Sequence, residues 1–328
     1  MKLVENKVEY LPQGEGFAEM EKHIERCGKV CYKSENSITE NSADKFIEGL
    51  KKNKHLSVLE HGTVYLTIPV GNLSAFAHAT TIMREIITFF KENPYSKIKE
   101  ADDYTKINVD GKEVNVGIKN YYITTNYRVI HEIMENRKFQ WDEIMIWRRD
   151  TPSEHHEKRY TFKFITSIGV GRELLRHRLI SPSQESTRYC NYSKDKFNNE
   201  LTFIRPQWAK LNSGPYNLTV NVEEDTWNIE GDGYLNGCAD TPEEELLMHY
   251  MGCEQKYFDL LNKGLKPQNA REVLPLGLKT EIVMTGFEFD WKDLLDKRLY
   301  EKTGKVHPDM KDLMEKLDKV MRDNHIIL

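Results

Sequence analysis

The residues best suited to chemistry stand together in Arg172–Tyr189, RELLRHRLISPSQESTRY. Arg172 and Arg176 are four apart, as are Glu173 and His177, so on a helix each pair shares a face. Pro182, directly after Ser181, should end that helix, read as Gly171 to Arg178, and impose an extended path. Residues two apart on an extended path point the same way, which would align Gln184, Ser186 and Arg188 on one side. Four arginines fall within 17 residues, interspersed with small polar residues and with Leu174, Leu175, Leu179 and Ile180. Guanidinium groups grip phosphate through two parallel hydrogen bonds, and hydroxyls add donors without charge. The pattern points to a site for a phosphate or phosphoryl ligand. Any single arginine here also has a plainer reading, as a solvated helix end whose cation complements the dipole. Residue chemistry alone identifies no more of the ligand than its anionic group.

Motif order narrows the ligand. Arg176-His177-Arg178-x-x-Ser181-x-x-x-x-Ser186-x-Arg188 resembles the signature of the flavin-dependent thymidylate synthases, with six fixed positions over 13 residues. Gln184 stands at a Gln/Glu position of that family, and Tyr189 also fits. Upstream, His55-Leu56-Ser57-Val58-Leu59-Glu60-His61 resembles the family's His-x-Ser/Thr-x-x-Glu-His stretch, and Lys29–Tyr32 resembles an earlier segment. Downstream, Ala270-Arg271-Glu272-Val273-Leu274-Pro275-Leu276 resembles its Ala-Arg-x-x-Leu-Pro run, and Arg298 follows Arg271 by 27 residues.

The resemblance implies methylation of dUMP to dTMP, with methylenetetrahydrofolate as carbon donor, reduced FAD as hydride donor and NADPH as reductant. It implies FAD contacts from His55, Ser57, Arg176, His177 and Arg178. It implies dUMP contacts from Glu173, Arg176, Gln184, Ser186, Arg188 and Arg271, the last reaching the phosphate from a neighbouring subunit. Arg298 would be catalytic, stabilising negative charge on the N3 side of the pyrimidine. The resemblance also implies a homotetramer with interfacial active sites, and no metal ligand is expected in this chain. Each residue has an ordinary competitor: an i,i+4 pair for Glu173 and His177, a polar loop for Gln184, Ser186 and Arg188, a cap or loop for His55 and Ser57, a surface residue for Arg271, and a helix cap for Arg298. The chain departs from the family pattern twice. Extra residues lie within about 71–158, and Phe287-Glu288-Phe289 stands where the family often has Asn-x-Arg against the flavin.

Two other functions fit the arginine cluster less well. A phosphotransferase or hydrolase would be expected to carry a Gly-rich phosphate loop, which is missing. A non-catalytic nucleotide- or RNA-binding module usually has a basic excess, whereas this chain has 47 basic and 52 acidic residues, a net charge of −5. Covalent chemistry would need an activated thiol or hydroxyl. Cys190 and Ser186 are the candidates, and no cysteine has a His or Arg neighbour at an obvious motif spacing.

The elements that must position these residues read as α+β: a mixed or antiparallel central sheet flanked by helices, in one domain over 1–328 with the insertion inside it. Helices are expected over Gly16–Cys27, Ser42–Lys52, Leu73–Lys91, Asn126–Arg137, Trp291–Tyr300 and Asp309–Asp323, and after Thr241-Pro242 as far as Lys263. Strands are expected over Thr63–Val70, Tyr160–Thr166 and Thr280–Thr285. Val109-Asp110-Gly111-Lys112 signals a hairpin within the polar stretch 91–120, which is expected to lie outside the flavin site. Arg148–Lys158 reads as an exposed loop. The first residues lack an apolar core like a signal peptide's, and no apolar run reaches the ~18 residues of a membrane span. The five cysteines, Cys27, Cys31, Cys190, Cys238 and Cys253, match no metal spacing. Reduced thiols and a cytoplasmic location are expected, without nucleic-acid or membrane partners.

Overall fold

Along Arg159–Ser167, Phe162 and Phe164 alternate with Thr161 and Lys163; along Lys279–Phe287, Ile282 and Met284 alternate with Glu281, Val283 and Thr285. Period-two alternation gives each strand one apolar face. In the computed structural model, which describes residues 1–71, 77–109, 112–135, 139–221, 226–231 and 241–326, these two strands pair antiparallel from Lys279↔Ser167 to Phe287↔Arg159. Lys7–Tyr10 adds on one side and Ser181–Gln184 on the other, completing an antiparallel four-stranded sheet. Its apolar face packs on Trp291 and Leu294 of the helix Glu288–Arg298, and on Met310, Leu313 and Leu317 of the helix Pro308–Asp323. Trp291 meets Phe162 edge-on at 4.9 Å, and its Nε1 donates to the carbonyls of Tyr160 and Gly286, each at 3.2 Å. A central sheet flanked by helices is the expected α+β class.

A second sheet, ordered Lys97–Val109, Lys112–Asn126, Thr63–Gly71 and Arg148–Arg149, has its own core. There Leu66, Ile68 and Ile123 pack with Ile86 and Phe90 of the helix Ala77–Glu92 and Ile130 of the helix Tyr127–Glu135. The signalled hairpin joins strands of 13 and 15 residues with Val109 opposite Lys112. Asp110-Gly111, the start of the helix expected from Leu73, and residues 136–137 lie outside the described residues. The stretch read as an exposed loop is partly built in. Arg148–Arg149 pairs with Tyr65–Leu66, and buried His156 donates from Nε2 to the Leu66 carbonyl at 3.0 Å.

The third sheet joins Lys2–Val4, Thr202–Ile204, Gly214–Asn221 and Thr226–Gly231, with the first two parallel. It packs on the helix Pro242–Asn262, where Tyr250 stacks on Phe203 at 4.2 Å. That helix begins with a reciprocal cap: Thr241 Oγ1 accepts from Glu244 N, and Glu244 accepts from Thr241 N. It ends before Gly264, whose φ of +90° suits glycine. None of the strands in this sheet was expected from sequence; Lys2–Val4 and Thr202–Ile204 rely on partners far along the chain, whereas Gly214–Asn221 and Thr226–Gly231 pair with each other from Asn221↔Thr226.

Candidate functional site

The helix before the arginine motif is Ile168–Leu174, capped by Ser167 Oγ, which accepts from Val170 N at 3.2 Å. It stops short of Arg178, the end expected from sequence. His177 N bonds to Leu174 O at 3.0 Å and Ile180 N to His177 O at 3.1 Å, so Arg176–Arg178 form turns that lead into the strand Ser181–Gln184. Buried Ile180 anchors these turns beside Gly286. Across from them, the helix Glu288–Arg298 completes a cleft of about 410 Å³ lined by Arg176, His177, Arg178, Asp290, Asp293, Lys297 and Arg298.

Arg298 is the pivot of this cleft. Its Nε donates to His177 Nε2 at 3.3 Å and its Nη1 to Glu173 Oε2 at 3.4 Å. Glu173 lies in the last turn of the helix and His177 in the turns beyond it, so the helical face expected from their spacing is not formed; both side chains converge instead on Arg298. These bonds also turn Arg298 away from a simple capping role. Burial, followed by the charges of Arg298 and Lys297, lowers the His177 pKa to about 4. Near neutral pH His177 is uncharged, and Nε2 is available as an acceptor. Lys297 is tied to Asp293 at 2.6 Å. The cleft thus offers guanidinium donors on one wall and carboxylate acceptors on the other.

Gln184, Ser186 and Arg188 do not form the expected row. The extended path ends at Gln184, because Tyr189 N and Cys190 N turn back to Ser186 O at 3.1 and 2.9 Å. Gln184 Nε2 donates to Thr280 Oγ1 at 3.1 Å, holding that side chain on the sheet. Within the turn, Arg271 Nη1 reaches Thr187 Oγ1 at 3.5 Å, and Arg188 lies 5.2 Å from the Tyr189 ring centre. Ser186, Arg188 and Arg271 make a second basic cluster. The strand Ser181–Gln184, roughly 10 Å long at ~3.4 Å per residue, separates it from the Arg298 cleft along one chain. His55 and Ser57 are exposed at the start of the 3₁₀ helix Leu56–His61 and line neither cluster. Cys190 is buried, and burial first, then Glu185, pushes its thiol up to about 12, leaving it a poor nucleophile at neutral pH.

Sequence reasoning did not single out His61, although the Glu60-His61 pair closes the upstream motif. Its ring is buried, with Nδ1 2.8 Å from Thr285 Oγ1 and Nε2 2.8 Å from Ser183 Oγ. The chain of polar contacts continues from Thr285 to Thr161 at 2.7 Å and on to His23 at 3.0 Å. His61 thereby ties the upstream motif to the strand that joins the two basic clusters.

Burial, then Arg159, lowers the His61 pKa to about 3. Unfolded His61 takes up a proton below about 6.5 and the folded ring only near 3. Acidification through that window therefore favours the unfolded chain. Between pH 7 and 5 His61 alone should cost about 2 kcal/mol of stability. Urea unfolding at both pH values is expected to show a smaller acid loss in His61→Gln than in the wild-type protein. Equal losses would remove His61 as a source.

Among the described residues no group of three or more His, Cys, Asp or Glu is placed to hold a metal ion. Nor is any of their helices long and apolar enough to cross a membrane.

The profile of the thymidylate synthase complementing protein family matches residues 95–325. A probable flavin-dependent thymidylate synthase of Paramecium bursaria Chlorella virus 1 is 27% identical over 150 residues, covering 46% of this chain and 61% of that relative. Two solved structures of the UMP/dUMP methylase PolB from Streptomyces cacaoi, bound with 5-Br dUMP and 5-Br UMP, align with 98% of this chain and with 93% and 92% of theirs. Their identities are 14% and 15% and their TM-scores 0.40 and 0.39, too loose a likeness to bear on this chain.

Proposed function

The chain belongs to the thymidylate synthase complementing protein family, and on that premise we propose that it methylates dUMP to dTMP with methylenetetrahydrofolate, FAD and NADPH. The observation that carries the reading is the convergence of Glu173 and His177 on Arg298, at the wall of a cleft that also presents Arg176 and Arg178. The donor set suits a flavin. A ring system with alternating carbonyl acceptors and N–H donors matches a cleft whose guanidiniums face the carboxylates of Asp290 and Asp293. Arg176, His177 and Arg178 would hold that ring, and the flavin, when bound and reduced, supplies the hydride.

Arg298 has five N–H donors, of which His177 and Glu173 occupy two. The rest have no acceptor among the described residues and would meet the pyrimidine edge where negative charge develops. A cation held in place beforehand needs no reorganisation during the reaction. Ser186, Arg188 and Arg271 would grip the dUMP phosphate, with Glu173, Arg176 and Gln184 along the nucleotide. Because one chain keeps the two basic clusters apart, the reading requires neighbouring subunits of a homotetramer to bring them together, with His55 and Ser57 completing the flavin site. The insertion is placed within about 71–158, a stretch that includes the hairpin strands Lys97–Val109 and Lys112–Asn126.

Purified protein should show flavin absorbance or bind added FAD, and should form dTMP from dUMP, methylenetetrahydrofolate, FAD and NADPH. Failure to bind FAD would overturn the reading. FAD and dUMP binding without turnover would leave a nucleotide-binding module.

A further inference from the structure

Beyond Asp290, the cleft adjoins an aromatic ring flanked by two cations. Arg159 Cζ lies 5.4 Å and Lys97 Nζ 5.9 Å from the centre of the Phe287 ring. Arg159 starts a strand of the central sheet, whereas Lys97 starts the hairpin of the second sheet. Both charges act on Asp290, which accepts from Phe287 N at 3.3 Å and also lines the cleft. The polar hairpin expected to stay clear of the flavin site therefore reaches its border.

Arg159 is poorly compensated. Its Nη1 donates to Thr63 Oγ1 at 3.2 Å and its Nη2 to Glu60 O at 3.0 Å, while its Nε is buried with no acceptor among the described residues. The Glu60 carboxylate is taken by Arg128 at 2.5 Å. Among the described residues, neither Arg159 nor Lys97 has a carboxylate within 4.0 Å. Burial lowers the Arg159 pKa to about 10, partly offset by Tyr65, Glu60 and Asp290. A desolvated cation without a carboxylate partner is costly, and an anion brought by a ligand would relieve that cost.

We propose that Arg159 and Lys97 form an oxyanion subsite at the Phe287 end of the cleft, taking a phosphate of the nucleotide cofactor that binds against Arg176–Arg178. Assigning the phosphate to a cofactor rests on the function proposed above; the anion chemistry does not. The shared chemistry is a phosphate oxyanion, which either FAD or NADPH could supply. Cation–π contact with Phe287 holds both positive side chains where a diphosphate could bridge them.

The test titrates FAD, riboflavin, NADPH and inorganic pyrophosphate into the wild-type protein and into Lys97→Ala, Lys97→Glu and Arg159→Gln. Lys97 is exposed, so its variants should fold even if Arg159→Gln does not. Lys97→Glu is expected to weaken FAD by about tenfold, and Lys97→Ala by less. Riboflavin, which has no phosphate, should bind all folded variants as it binds wild type. Weakening confined to NADPH would support the subsite and assign it to the reductant. Pyrophosphate binding that Lys97→Glu abolishes would support it even if wild type bound no flavin. The proposal is overturned if both Lys97 variants bind FAD, NADPH and pyrophosphate like wild type, or if riboflavin weakens as much as FAD.

Discussion

Arg298→Ala is expected to slow dTMP formation by about 10²–10³-fold, the usual cost of losing one preorganised donor at a developing negative charge. FAD binding should be nearly unchanged, because Arg176, His177 and Arg178 remain in place on the opposite wall. Two acceptors fix the guanidinium: neutral His177 on Nε and Glu173 on Nη1. Arg298→Lys keeps the charge but loses the planar fork, so its rate should fall between wild type and the alanine variant. If Arg298 served only to cap its helix, alanine would cost well under about 1 kcal/mol of stability and leave turnover intact. Steady-state rates at saturating dUMP and FAD, with urea unfolding of the same variants, separate the two. Turnover within about threefold of wild type, ~0.7 kcal/mol on the barrier, would take Arg298 out of the chemistry.

The largest stability effect should come from Trp291, whose side chain is wholly buried between the central sheet and its helices. Trp291→Ala removes its contacts with Phe162 and Phe164 and leaves a cavity, at a cost of about 3–5 kcal/mol. It also strips the indole donor from the carbonyls of Tyr160 and Gly286. Trp291→Phe keeps most of the ring volume and should lose only about 1–2 kcal/mol, mainly from those carbonyls. The helix that carries Trp291 also carries Asp290, Asp293, Lys297 and Arg298. Loosening it should therefore lower activity at temperatures where the rest of the fold survives. Urea midpoints for the three proteins give the ordering; a loss below about 1 kcal/mol for Trp291→Ala would show that this contact does not hold the helix to the sheet.

Much of the fold was legible because its signals are local. The cap at Thr241-Pro242-Glu244, the stop at Gly264 and the alternation in Tyr160–Thr166 each act within a few residues, as do the hydrogen bonds they encode. The residue types of the Arg176–Arg178 segment set which groups these turns could present, but the helix that the i,i+4 spacing of Glu173 and His177 presupposes ends at Leu174. Tertiary structure decided what those groups meet. Arg298 lies 121 residues from His177, and only the pairing of Lys279–Phe287 with the two strands flanking the motif brings its helix across from the turns. The expected row of Gln184, Ser186 and Arg188 failed because backbone bonds to Ser186 O end the extended path, a competition that side-chain alternation does not report. Lys97 reached Phe287 through the packing of a second sheet, and His61 found Thr285 and Ser183 through burial. Periodicity and capping depend on neighbours in sequence, whereas these contacts depend on sheet register and on which faces are left to bury; a polar residue's type and spacing cannot reveal a partner a hundred residues away.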